Sequence, residues 1–214
     1  MESNEQPLDA LKDIKALMER SSRFISLSGL AGVFSGIFAL VGAAAAYWRV
    51  NIAPWAVRSD DTPFGTGRIV HIDTDVARFL AVDAILVLLA SLAVSYIFTK
   101  RKAKRKQQPL WGAYSRHMLM NLSVPLLTGG LFCLILFYHG LIGLIAPATL
   151  VFYGLALMNA GRFSLEEISY LGLSDVILGL VCLFFLGYGL IFWALGFGLL
   201  HIVYGILMYV RHDR

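Results

Sequence analysis

Forty consecutive residues, Leu171 to Val210, carry only two side chains of the Asp, Glu, Lys, Arg or His type, Asp175 and His201. A helix needs roughly 20 apolar residues to cross a bilayer, so the run is long enough for two crossings. Gly187-Tyr188-Gly189, near its middle, is the natural turn. Lipid offers the backbone no hydrogen-bond partner, and a helix is the element that satisfies its own N–H and C=O groups. The stretch therefore predicts a multi-pass membrane protein.

The remaining apolar runs extend that reading to six spans, at about 24–48, 79–98, 118–138, 141–160, 170–186 and 190–210. The expected fold is all-α, an integral membrane bundle of three hairpins over residues 24–210, with both termini in the cytoplasm. Only 15% of the 214 residues are charged, against about a quarter in a soluble domain. Lipid accounts for the deficit; disorder does not, because disordered chains are polar and poor in aromatics. In the first span Ser28, Gly32 and Gly36 fall four apart, a ridge of small residues that lets another helix approach closely. Trp48 and Trp55 suit the aromatic belt at its far end.

Residues 1–23 precede the bundle. Pro7 to Arg20 reads as a short amphipathic helix, with Leu8, Leu11, Ile14 and Met18 at three- and four-residue steps. Its mixed charges and the lack of an apolar core before Phe24 exclude a cleavable signal peptide. The one long connection, 49–77, holds Pro54, Pro63, Gly65 and Gly67, and is read as the extracytoplasmic loop. Within it Arg68 to Asp73 alternates as a strand does, and His71, Asp73 and Asp75 share one parity, a weak metal pattern in a solvated loop. Asp73 or Asp75 is well placed to cap the following helix.

Loop 99–117 opens with six basic residues in the seven positions 100–106. Such a run can meet nucleic acid or anionic headgroups, but its commonest role is to hold a loop in the cytoplasm. Counting supports that role. Fourteen of the 18 Lys and Arg fall on one side of the six-span scheme, leaving Arg49, Arg58, Arg68 and Arg78 on the other. The expected partners are membrane lipids, and either a second copy or a cytosolic protein at the N-terminal helix, with no nucleic acid.

The second half contains an internal echo. Leu131-Phe132-Cys133-Leu134, Gly140-Leu141-Ile142 and Tyr153-Gly154 are answered by Leu180-Val181-Cys182-Leu183, Gly189-Leu190-Ile191 and Tyr204-Gly205. Both hairpins enter from the same side, the arrangement of a parallel repeat such as transporters use. Neither Cys133 nor Cys182 reads as part of a disulfide framework.

His201 stands near the middle of the sixth span, where ionisable groups face protein or water. On a helix it lies about 60° from Gly198 and about 40° from Gly205, glycines that mark a close contact. It reads first as a neutral imidazole bonded to a neighbouring helix, and second as a ligand contact or a proton-carrying group, with Tyr204 one turn on. Asn121 and Asn159 lie near cytoplasmic ends of one hairpin and are placed to bond each other or line a vestibule, and Asp175 is read at a similar depth. Pro125 and Pro147 release the carbonyls of Asn121 and Gly143, and because Asn121 lies near a cytoplasmic end an irregular, polar cytoplasmic half of the bundle is expected. Asp83, about a turn inside the second span, is expected to pair with Arg78 or Arg49.

No cofactor is expected. A bis-histidine haem needs a second histidine at the depth of His201, and His117 and His139 sit at the two boundaries. No zinc-protease motif, phosphate-binding glycine loop or nucleophile elbow occurs, and His201 alone is read as central, so an enzyme is not expected.

Two segments carry a resemblance: Leu17-Met18-Glu19-Arg20-Ser21-Ser22-Arg23-Phe24-Ile25-Ser26-Leu27-Ser28-Gly29-Leu30, and Gly187-Tyr188-Gly189 through Phe192-Trp193-Ala194, Gly196-Phe197-Gly198 and His201-Ile202-Val203-Tyr204-Gly205. The chain resembles an uncharacterised family of multi-pass bacterial inner-membrane proteins. The resemblance implies span count and cellular location and carries no substrate or catalytic residue. Two functions are therefore expected in order: binding or moving a small or lipid-like ligand in a helix-lined pocket near His201, or anchoring a partner without transport.

Overall fold

The computed structural model describes residues 28–52, 57–61, 68–105 and 113–212. In chain order these form α1 (Gly29–Ile52), β1 (Val57–Asp61), β2 (Arg68–Ile72), α2 (Thr74–Arg105) and α3 (Ala113–Tyr138). A 3₁₀ turn at Ile142–Leu144 leads into α4 (Ile145–Gly161), followed by α5 (Glu166–Phe184) and α6 (Gly189–His212). The helix expected over Pro7–Arg20 lies outside the described residues.

Each helix starts where the sequence supplies a start. The Ser28 carbonyl accepts the N–H of Ala31 ahead of α1, and the Asp73 carbonyl accepts that of Ala77 ahead of α2. Glu166 and Glu167 occupy the first turn of α5, where acidic side chains favour the positive end of the helix dipole. Gly140 turns the chain between α3 and α4 at φ +73°, a conformation glycine adopts without steric cost. Pro147 is the third residue of α4, so its missing N–H falls where the helix has no partner to lose. The expected disruption at Gly143 is thus confined to a helix start.

α1, α2, α3, the run Ile142–Gly161 and α6 are each long and apolar enough to cross a membrane. α5 is the sixth long apolar helix, and it holds Glu166, Glu167 and Asp175. Two boundaries differ from expectation. α2 begins at Thr74 and continues to Arg105, so much of the basic run is helical instead of loop. The strand expected over Arg68–Asp73 spans Arg68–Ile72 and has an antiparallel partner in β1, with Val57 opposite Ile72 and Asp61 opposite Arg68. The described chain is helical apart from that pair.

α1 packs between α2 and α6, and α4 between α3 and α5; α6 also meets α4 and α5. Glycines set these approaches. A Cβ on Gly29 or Gly205 would run into the backbone of the opposite helix, and one on Gly36 would lie 2.6 Å from the Gly198 carbonyl oxygen. Gly154 and Gly172 bring α4 and α5 together in the same way, each facing the other's carbonyl.

Side-chain pairs align the helix ends. Phe34 stacks on Phe98 with centroids 5.4 Å apart, and His117 on Phe163 at 6.0 Å. Arg211 donates to Glu167 at 3.1 Å. These pairs gather the start of α1, the basic end of α2, the start of α3 and the end of α6 at one end. β2 lies beside the Ile142–Leu144 turn at the other. The outward faces of α2 and α3 remain apolar, with Ile85, Leu89 and Leu92, and Val124, Leu127 and Leu134, all exposed.

Candidate functional site

The middle of α6 departs from α-helical geometry. Ala194–Leu200 forms π-helical turns between the α-helical Gly189–Trp193 and His201–His212. A π insertion widens the helix and offsets its backbone bonding, and such insertions concentrate at functional sites. Gly196 and Gly198 make the passage of this wide segment feasible. A Cβ on Gly196 would meet the side chain of Leu150 on α4, and one on Gly198 that of Leu40 on α1. α6 is therefore wedged between two helices at its widest point.

His201, the first residue after the π segment, is buried and held at both ring nitrogens. Nδ1 lies 2.9 Å from the Gly196 carbonyl oxygen, and Nε2 lies 2.8 Å from the Tyr153 hydroxyl. A carbonyl only accepts, so Nδ1 carries the hydrogen. In the neutral imidazole Nε2 is then the acceptor, and Tyr153 donates to it. Aromatic rings enclose the pair: Tyr153 packs on Phe197 at 4.9 Å, and Phe197 on Trp193 at 5.0 Å and on His201 at 6.0 Å.

Asp175 lies at the same level from the α5 side. It has no exposed surface, and among the described residues neither carboxyl oxygen has a hydrogen-bond partner. A Cβ on Gly196 would sit 3.0 Å from its Oδ1, so one glycine borders both Asp175 and His201. The expectation that Asp175 sits near a cytoplasmic end is corrected. It is central, nine residues from each end of α5. α5 starts at Glu166, four residues before the expected Tyr170, which moves Asp175 inward along the helix. The expectation that His201 alone is central falls with it.

Tyr204 is half-buried, and its hydroxyl lies 3.2 Å from Ser174 Oγ. Ser174 donates its own hydrogen to the Tyr170 carbonyl at 2.9 Å, so Tyr204 donates to Ser174. This second bond joins α5 to α6 about one turn along from the first.

Three other candidates stand apart from this centre. Asn121 is exposed, and its amide donates to the His117 carbonyl one turn back at 2.8 Å; among the described residues it makes no bond to Asn159. Asn159 is half-buried on α4. α3 runs without interruption through Pro125, and the irregular backbone lies at the middle of α6 instead of the expected cytoplasmic half of the bundle. Asp83 faces Gly42 of α1, where a Cβ would lie 3.2 Å from its Oδ2. Arg78 pairs with Asp75 at 3.7 Å, and among the described residues Asp83 pairs with neither Arg78 nor Arg49, its two expected partners. Among the described residues no group of three His, Cys, Asp or Glu is arranged to hold a metal ion, and Cys133 and Cys182 are both free thiols.

Tyr153 is the member of the centre that sequence reasoning passed over. It entered only as half of the Tyr153-Gly154 echo of Tyr204-Gly205. That echo held the signal, because both tyrosines turn out to bond across a helix interface beside a glycine contact. The chain matches no family model, no curated protein and no solved structure.

Proposed function

We propose that this chain is a six-span protein of the bacterial cytoplasmic membrane, with both termini inside, that binds or moves a small or lipid-like ligand in the core of its bundle. Support for the location comes from the five helices long and apolar enough to cross, and from the exposed apolar faces of α2 and α3, which lipid would cover. The basic end of α2 lies at the same end as Arg211, and positive residues favour the cytoplasmic side.

One observation carries the ligand reading. A π-helical turn at the middle of α6 holds His201 against Tyr153 beside a buried carboxyl, where a purely structural bundle would place apolar side chains. Polar groups at such depth are expensive, and they mark ligand or ion pathways.

Native mass spectrometry of the full chain, released from detergent, tests this. Wild type is expected to carry a co-purifying small molecule, and His201→Ala to retain at least about tenfold less, equivalent to about 1.4 kcal/mol. Equal retention by both, or a wild type that carries nothing, overturns the reading. The anchoring alternative predicts instead that removing residues 1–20 releases a protein partner while His201→Ala does not.

A further inference from the structure

Among the described residues Asp175 has neither a hydrogen-bond partner nor a salt-bridge partner. Between Phe163 and Val210 there is no Lys or Arg, and α4 contains none. The ionisable groups around the carboxyl are Tyr153 on α4, within electrostatic reach, His201 and Tyr204 on α6, and Cys182 further along α5. Both nitrogens of His201 are already engaged, with Gly196 and Tyr153, and Tyr204 is engaged with Ser174. A buried polar group without a hydrogen bond is costly, and a bare carboxylate is far more so unless a positive charge joins it.

The surroundings also limit the size of what can join it. Leu150 and Leu178 crowd Gly196 so closely that even a methyl group there would displace them, and Asp175 has no exposed surface. That crowding favours a bare ion over an organic cation. We infer that Asp175 is the binding point of a compact monovalent cation, a proton or an alkali-metal ion, taken up in the bundle core beside the π-helical turn of α6. This rests on the ligand-binding reading for its purpose, since an ion bound at that depth is suited to drive or gate the movement of a second ligand. Binding a proton forms one O–H bond on a carboxyl oxygen as the O–H bond of the hydronium ion that delivers it breaks and leaves water; an alkali ion would bind the carboxylate by charge, with no covalent bond made or broken.

Infrared difference spectroscopy of the full chain in phosphatidylethanolamine–phosphatidylglycerol vesicles tests it without any organic ligand. With choline as the sole added cation, a proton site shows the carbonyl-stretch band of a protonated carboxyl, which disappears on titration to alkaline pH and is missing in Asp175→Asn. If added sodium or potassium chloride removes that band, or shifts the carboxylate bands in wild type alone, an alkali ion shares the site. If salt changes nothing, the proton is the occupant. Should Asp175→Asn fail to accumulate, isotope-labelled aspartate in wild type assigns the band through its frequency shift. The inference is overturned if no aspartate band responds to pH or salt, whether because none is present or because it stays fixed under both. A fruitless search for the organic ligand leaves this result standing, and a missing band leaves that search standing.

Discussion

Tyr153 and His201, 48 positions apart, share a 2.8 Å hydrogen bond that ties α4 to the first residue beyond the π segment of α6. The bond completes the imidazole, whose other nitrogen is taken by the Gly196 carbonyl. Tyr153→Phe leaves Nε2 facing no donor in a dry interior, a loss of about 1–3 kcal/mol. The unfolding midpoint in detergent should fall accordingly. His201→Ala should fall further, because it also removes the ring that Phe197 stacks upon. In the double variant the losses should be less than additive by on the order of 1 kcal/mol, since both remove one bond.

The approach of α1 to α6 depends on bare backbone. Gly205→Ala places its new carbon 2.6 Å from Val33 N and 2.8 Å from Gly29 O, atoms that cannot rotate away. Overpacking of that kind costs about 1–3 kcal/mol, readable as a lower thermal midpoint. Gly130→Ala is the control. Nothing lies within 4 Å of its added carbon, and removing glycine from a helix interior is worth about 0.5–1 kcal/mol in the stabilising direction. Equal effects of the two substitutions would show that the glycine contacts do not hold the bundle.

Glu167, at the polar start of α5 outside the apolar stretch, meets Arg211 at 3.1 Å and His212 Nδ1 at 4.0 Å. Burial by itself pushes its carboxyl up. The backbone hydrogen bond, the Arg211 hydrogen bond and the charges of His212 and Arg211 outweigh burial and hold it below the ordinary carboxylate range. A folded-state value below the unfolded one means that the contribution is complete above the unfolded value and is lost as pH falls through the folded one. Wild type should therefore lose stability on acidification more steeply than Glu167→Gln, whose deficit is already present at neutral pH. The Arg211 side chain is 64% exposed, so the difference should not exceed about 1 kcal/mol. Melting curves collected from neutral to acid pH measure it.

Orientation has a direct test in intact cells. Lys100→Cys stands at the basic end of α2 and His139→Cys at the opposite end of the bundle. A membrane-impermeant maleimide should label the second and spare the first until the cells are opened. The native thiols require a background free of Cys133 and Cys182. Labelling of both from outside, or of Lys100→Cys alone, would reverse or dismantle the six-span scheme.

The helical class and the approximate position of every described long helix were legible in residue order alone. Length and apolarity are properties of one segment at a time, and a segment without charge for the width of a bilayer has few other ways to satisfy its backbone. The Gly32, Gly36, Gly198 and Gly205 contacts were legible too, because a small residue at helical spacing has one common use. What only the tertiary structure decided is which side chains share a depth. Asp175, Tyr153 and His201 meet because Gly154 and Gly172 set how α4 slides against α5, and because the π turns offset α6 by part of a turn relative to an ideal helix. Both are relations between segments, and residue order within a single segment does not encode them.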